Sequence, residues 1–379
     1  MFDSNKKLLI NLSNLHSGGA IQVAVSFIEE LSRIDELPLG LAIIASSEVH
    51  DNLQEIKCDL SCFNNYEVFN TYGVSGLWSS LRRKIQNFDV VFTLFGPLYS
   101  LHITTVSVVG FAQSWIIYPE NEVSRTLSFF QRMIVRFKFL IQWQFFKNAD
   151  KLVVELEHVK NRLIQKFSLD CKNVYVVHNC LNSIYLRPEH WAPLDLTVCD
   201  TTFSLGFVCR DYPHKNTDIL PRVRQVLIDL YGIKVDFYVT LNTQEWESKS
   251  DFFRENIKNV GVLSVAQCPT FYKKMNAVIF PSFLESFSAT PLEAMFMKKS
   301  LFASDRSFVR DVCGDFAYYF DPENPIAAAE LIADYINNKH GFDDGKLLSA
   351  RVHVVESFNA TRRAENYLKI IQVAASHSS

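Results

Sequence analysis

The chain has 379 residues, 48% of them apolar, and a formal net charge of −3. That length predicts two domains of ordinary size, each with its own core, and the near-neutral charge excludes a general nucleic-acid binder. The eight cysteines are scattered with no Cys-x-x-Cys pair, the pattern of reduced thiols in a cytoplasmic protein and not of a disulfide framework or a zinc site. Asp3, Lys6 and Lys7 precede only a short Leu8-Leu9-Ile10 run, which does not read as a signal peptide. No uncharged apolar run approaches the roughly 18 residues that a spanning helix needs.

In chain order, residues 7–12 read as a strand, 13–19 as a loop carrying Gly18-Gly19, and 19–33 as a helix with Ala20, Val23, Ala24, Phe27, Ile28 and Leu31 on one face. Strand, glycine loop and helix make a Rossmann-type opening, where glycine permits close backbone approach; a plain tight turn is the alternative. The Gly-x-Gly-x-x-Gly fingerprint is missing, which counts against a nicotinamide-dependent oxidoreductase. Further strands are expected at 41–45, 90–94 and 104–111, and their alternation with helices implies a parallel sheet. Residues 124–146 read as one helix with Arg125, Arg132, Arg136 and Lys138 among many aromatic and aliphatic residues, and no acid between Arg125 and Lys147. Two readings stand: a helix that docks on an anionic membrane through Arg132, Arg136 and Lys138, or a core helix whose cations reach out to solvent. Strands at 151–155 and 174–177 bracket a short helix at 159–167, and an aperiodic stretch at 181–199 places a domain boundary near residue 190.

The second domain opens with a strand at 202–208. The loop Cys209-Arg210-Asp211-Tyr212-Pro213-His214-Lys215-Asn216 follows, with Asn216 placed to cap a helix from Thr217. Strands at 235–240 and 260–263 lead to the apolar run 277–280. Pro281 ends that run because it cannot donate to a ladder. A polar turn containing Glu285 follows. Thr290-Pro291-Leu292-Glu293 then reads as a helix start, with Thr at the cap, Pro at the first helical position and Glu three after the cap. The free N–H groups of such a start form an anion site, most naturally for phosphate. An alanine-rich helix is expected from Asn324-Pro325 to 337, and a last helix at 361–371.

The segment Glu285-Ser-Phe-Ser-Ala-Thr-Pro-Leu-Glu293 resembles the Glu-x7-Glu signature of retaining, nucleotide-sugar-dependent glycosyltransferases of the GT-B type. Ala303-Ser304-Asp305, Val312-Cys313-Gly314-Asp315 and Tyr319-Phe320-Asp321-Pro322 are similar to that family as well. The resemblance implies an α/β fold of two facing Rossmann-like domains, 1–190 on the acceptor side and 191–360 on the donor side, with the site in the cleft between them. It also implies that 361–379 packs back on the first domain. By resemblance, Arg210, Lys215 and the amides of Ser288, Ala289 and Thr290 grip a donor diphosphate, Glu285 supports charge at the donor sugar, and Glu293 holds the ribose. Gly18-Gly19 faces donor or acceptor. Gln113 stands nearest the position where relatives carry a histidine, and could bond a sugar hydroxyl.

No Asp-x-Asp pair occurs, so the expected cofactor set is empty: no metal, with a nucleotide-diphospho-sugar as substrate. The expected partners are that donor, a glycan acceptor on a lipid carrier and an anionic membrane surface, with no nucleic acid. The expected location is cytoplasmic and peripheral on the inner face of the membrane, in surface polysaccharide synthesis. A bland reading of the motif leaves Glu293 as a capping partner for Thr290 and Glu285 as a solvated loop acid. A non-catalytic glycosyltransferase-like binding or scaffold protein is the second functional class.

Overall fold

The computed structural model describes residues 6–34, 37–38, 40–100, 104–338 and 344–376. The chain forms two compact units, one of Met1–Pro119, Leu127–Asn179 and Ala360–Ser379, the other of Glu120–Thr126 and Cys180–Asn359. The passage between them falls at residues 179 and 180, some way before the boundary expected near 190. The reason is packing: Leu181 N–H donates to Phe358 O at 3.2 Å, and the buried Tyr185 ring lies against Phe296 and Tyr272. Residues 120–126 join the same unit through ion pairs of Glu122 with Arg306 and of Arg125 with Glu323.

The first unit holds β1 (Leu8–Leu12), β2 (Leu41–Ala45), β3 (Asn65–Val68), β4 (Val90–Thr93), β5 (Val106–Phe111), β6 (Lys151–Val154) and β7 (Val174–Val176). They form a wholly parallel sheet in the order β3-β2-β1-β4-β5-β6-β7. The second unit holds β8 (Phe203–Phe207), β9 (Val235–Val239), β10 (Lys258–Asn259), β11 (Ala277–Phe280), β12 (Ser300–Ser304) and β13 (Tyr318–Phe320). Its sheet is also parallel, in the order β10-β9-β8-β11-β12-β13. The inner strands β1, β2, β4, β11 and β12 are buried along their whole length, which is why they read as unbroken apolar runs. Each sheet reverses its direction of growth once, between β1 and β4 and between β8 and β11. These are the switch points at whose carboxyl ends ligands sit in doubly wound sheets. The fold is therefore α/β, with two Rossmann-like parallel-sheet units.

Two expected elements differ. Residues 260–263 are not a strand. The Asn259 side chain takes both backbone groups of Leu241, accepting from its N–H at 2.9 Å and donating to its carbonyl at 3.0 Å, and Gly261 at φ +84° turns the chain away. The segment 124–146 is not one helix but two, Glu122–Thr126 and Phe129–Phe146. Ser128 breaks it by forming a capping box with Gln131.

The last helix, Ala360–Ser376, packs on the first unit's helix Gly19–Leu31. Residues 377–379 lie outside the described ones. Tyr367 stands edge-on to Phe27 and tilted against Phe92, with centroids 5.1 and 5.0 Å away. The buried Arg363 donates to Asn179 Oδ1 at 2.7 Å and Ser26 Oγ at 3.0 Å. Because Tyr367 is only 2% exposed, Tyr367→Ala should cost about 3 kcal/mol or more in stability. Denaturant unfolding monitored in the first unit should show a lower midpoint, and an unchanged midpoint would refute this account of the core.

Candidate active site

The chemistry-bearing residues of the second unit collect at the carboxyl ends of β8 and β11, on either side of the switch point. β8 delivers the loop 208–216. Asn216 sits in the left-handed region at φ 53°, and it does not cap the following helix with its side chain. Its amide instead donates to Pro281 O at 3.2 Å and to Pro322 O at 2.8 Å. Phe283 N–H donates to His214 O at 2.8 Å. The loop after β8 is thus tied to the loop after β11 and to the Phe-Asp-Pro turn after β13.

These ties bring Lys215 and Glu285 together. Lys215 Nζ is 2.6 Å from Glu285 Oε1, and both side chains are mostly buried, at 15% and 11% exposure. The ammonium also lies 5.7 Å from the centre of the Phe280 ring. His214 Nε2 is 4.0 Å from Glu285 Oε2. Burial pushes the His214 pKa below the ordinary histidine range and the Lys215 cation adds to that, while Glu285 opposes it. Glu285 is therefore no solvated loop acid.

Glu293 lies on the helix Ala289–Phe296, which starts earlier than the sequence suggests. Ser288 occupies the cap with no side-chain hydrogen bond, so Thr290 is a helical residue and not the cap. The capping-box alternative for Glu293 is not built: its Oε2 accepts from the buried Tyr272 hydroxyl at 2.7 Å. Burial raises the Glu293 carboxyl above the usual range, and the bond from Tyr272 works against that. The uncapped start leaves the Ala289 and Thr290 amides without partners inside the helix. Arg210 is not gathered with Lys215. Its Nε donates to Glu245 at 2.9 and 3.1 Å.

In the first unit, Gly18 takes φ 71° and ψ −160° ahead of the helix Gly19–Leu31, a conformation that side chains rarely adopt. The loop carries a residue that the sequence reading passed over. His16 stacks on Tyr72 at 4.2 Å, with Nδ1 2.8 Å from Glu48 and Nε2 2.8 Å from Thr71 O. Thr71 O can only accept, so Nε2 carries a hydrogen. The bond to His16 holds the Glu48 carboxyl below its usual range. Gln113 stands just before the turn Ser114–Ile117, with no side-chain bond to it. His214, Asn216 (read only as a helix cap) and Tyr272 were missed as site residues too. The first two lie inside the loop already singled out for Arg210 and Lys215, so their proximity was the available signal.

Residues 242–348 match the family described as glycosyl transferases group 1. That stretch carries Glu285 and Glu293 but not Arg210 or Lys215. The O-antigen chain mannosyltransferase RfbU of Salmonella typhimurium is 24% identical over 341 residues, 84% of this chain and 87% of that one. Among solved structures, a glycosyltransferase from Rickettsia africae covers 98% of this chain and 100% of its own, at 16% identity and a TM-score of 0.68. HepE from Anabaena in complex with UDP-glucose covers 97% of this chain and 100% of its own, at 13% identity and a TM-score of 0.67.

The half-buried His214 gives a pH signature. With its native pKa below the unfolded value, the unfolded chain binds the proton first as pH falls through the ordinary histidine range. Stability is lost on that acid side and is unaffected above it. Between pH 7 and pH 5 the melting temperature of His214→Gln should fall less than that of the wild type. An equal or larger fall would show that His214 is not the group with a lowered pKa described.

Proposed function

We propose, taking as premise that this chain is a GT-B type glycosyltransferase of group 1, that it moves a hexose from a nucleotide-diphospho-sugar to an acceptor hydroxyl with retention at the anomeric carbon. The observation that carries this reading is the Lys215–Glu285 ion pair at the β8–β11 switch point, beside an uncapped helix start. A diphosphate leaving group gains charge as the bond to the anomeric carbon breaks, and a fixed cation with free amides favours that state. Lys215 and the amides of Ser288 to Thr290 hold the diphosphate. Glu285, turned toward Lys215, supports charge at the sugar. Glu293, fixed by Tyr272, holds the ribose. Arg210, already committed to Glu245, is the lesser cation. The acceptor oxygen bonds to the anomeric carbon on the face that the phosphate leaves, and its proton passes to the departing phosphate oxygen. In the first unit, Gly18 and Gly19 are proposed to face donor or acceptor, and Gln113 to bond a sugar hydroxyl.

The named relatives favour the substrate classes. HepE is seen with UDP-glucose, and the curated relative is an O-antigen mannosyltransferase. An acceptor glycan on a lipid carrier, used in surface polysaccharide synthesis at the inner face of the membrane, follows from that likeness as part of the proposal. Among the described residues no helix is long and apolar enough to cross a membrane, so the proposed association is peripheral.

Lys215→Ala should lower kcat by about a hundredfold or more, roughly 2.7 kcal/mol of transition-state stabilisation. Glu285→Gln should do similar damage, Arg210→Ala less, and Glu293→Gln should chiefly raise the donor KM. Donor-hydrolysis and transfer assays on purified protein decide this: near-wild-type turnover for both Lys215→Ala and Glu285→Gln would remove the assignment. A wild type that binds nucleotide-sugars without turning them over would favour the scaffold reading.

The proposed reaction needs no metal. In the proposal Lys215 and the amides at the start of the helix Ala289–Phe296 meet the diphosphate in place of a metal. Excess EDTA should leave transfer nearly unchanged; loss of activity restored by magnesium or manganese would contradict the proposal.

A further inference from the structure

Among the described residues, the helix Phe129–Phe146 has two apolar sides, and only one is packed against the rest of its unit. Its inward side packs firmly: Trp143 stacks on Phe167 at 3.7 Å, Phe146 meets Phe111 at 4.8 Å, and Phe139 lies parallel to Trp115 at 5.8 Å. Its outward side carries Phe129, Phe130, Met133, Ile134, Phe137 and Leu140, each between 50 and 78% exposed. At about 100° per residue these six form one stripe along more than three turns. Arg136 borders that stripe on one edge and Lys138 on the other, and both are exposed. This is the reverse of a core helix whose cations reach solvent: here the apolar residues point out and the cations flank them. Arg132 is different. It is half-buried, and its Nη2 donates to Leu127 O at 3.3 Å, so it belongs with the inward side.

A contiguous apolar stripe of this size is rare on a soluble surface and marks an interaction. Its flanking charge selects the occupant. A helix with a bulky apolar face, lysine and arginine along its borders and no acid in its length fits the headgroup layer of an anionic bilayer, where aromatic rings enter the acyl boundary and cations stay at the phosphates. We propose that this face docks the protein on an anionic lipid surface, with the helix lying in the plane of the interface. Phe130, Ile134, Phe137 and Leu140 are inserted, and Arg136 and Lys138 rest on lipid phosphates. The proposal is independent of the reaction assigned above.

The experiment is co-sedimentation of the full chain with vesicles of phosphatidylcholine, with and without phosphatidylglycerol. The wild type should sediment with the anionic vesicles at low salt, and less at high salt or with phosphatidylcholine alone. Arg136→Glu with Lys138→Glu, and separately Phe130→Ser with Phe137→Ser, should each weaken partitioning by about tenfold or more. Circular dichroism and a cooperative melt should show both variants folded, because the altered side chains are exposed. Failure of the wild type to sediment with anionic vesicles at low salt overturns the proposal, as does sedimentation of folded variants at the wild-type level. A lipid-free dimer that Phe130→Ser with Phe137→Ser converts to monomer would assign the face to a second copy of the chain and also overturn it. Should either variant misfold, the wild type's dependence on lipid charge and salt still decides.

Discussion

The end of a buried parallel strand leaves carbonyls that the ladder no longer serves, and each must find a donor. In the second unit one side chain does this for two of the loops that follow strands. Asn216, held in the left-handed region, donates from a single amide to Pro281 O after β11 and to Pro322 O after β13. Pro281 and Pro322 carry no N–H, so neither residue adds a donor there. Asn216 follows Lys215 directly, so the clamp that satisfies these carbonyls also fixes where the lysine can reach. Asparagine suits the position because it tolerates a positive φ and carries two amide hydrogens.

The consequence is electrostatic. A mostly buried lysine–glutamate pair is weak grounds for stability, because desolvating two charges costs about as much as their attraction returns. Pairs of this kind, with a neighbouring titratable group shifted by burial, concentrate where a site must handle charge. His214 has its charged form disfavoured by burial and by Lys215. That leaves one cation and one anion facing each other at the end of β11. Under the proposed reaction an arriving diphosphate competes with Glu285 for Lys215, and the uncapped amides of the helix from Ala289 add to its pull.

What could be read in the sequence follows from which physical signal was local. The run Ala277–Phe280 is buried on both sides, so its hydrophobicity is continuous and its end at Pro281 is sharp. The wholly parallel sheets follow from alternation alone. The stretch 260–263 misled because three apolar residues around Gly261 look like a strand, while the deciding contact is the Asn259 side chain on Leu241, a feature of folded geometry. The 124–146 segment has helical composition throughout, and only the reciprocal bonds of Ser128 and Gln131 reveal the break. In the site, Lys215, Glu285 and Glu293 were legible because a loop-strand-helix pattern carries them. The partner of Arg210 was not, since Glu245 is far away in sequence and comes close only when β9 pairs with β8. Likewise Tyr272, which fixes Glu293, reads as an ordinary aromatic core residue.

The two units share a strand order and differ in what they place at the reversal. In the first unit, Asn11 on β1 donates to Thr93 on β4 at 3.1 Å and accepts from Ser13, whose hydroxyl meets that of Thr71 at 3.0 Å. The loops after these strands, 13–19 and 94–100, contain no lysine or arginine. Their polar content is hydroxyls, amides and His16. The corresponding loop after β8 carries Arg210 and Lys215, and the one after β11 carries Glu285. A diphosphate is bound by fixed charge and free amides, because its own charge must be met as it departs. A sugar hydroxyl is bound by neutral donors and acceptors, which discriminate position without adding net charge. The same scaffold thus supplies a reversal with Arg210 and Lys215 in one unit and, in the other, a hydrogen-bonding reversal whose loops 13–19 and 94–100 lack lysine and arginine. Under the proposed reaction, the reversal with Arg210 and Lys215 is the one suited to a diphosphate donor.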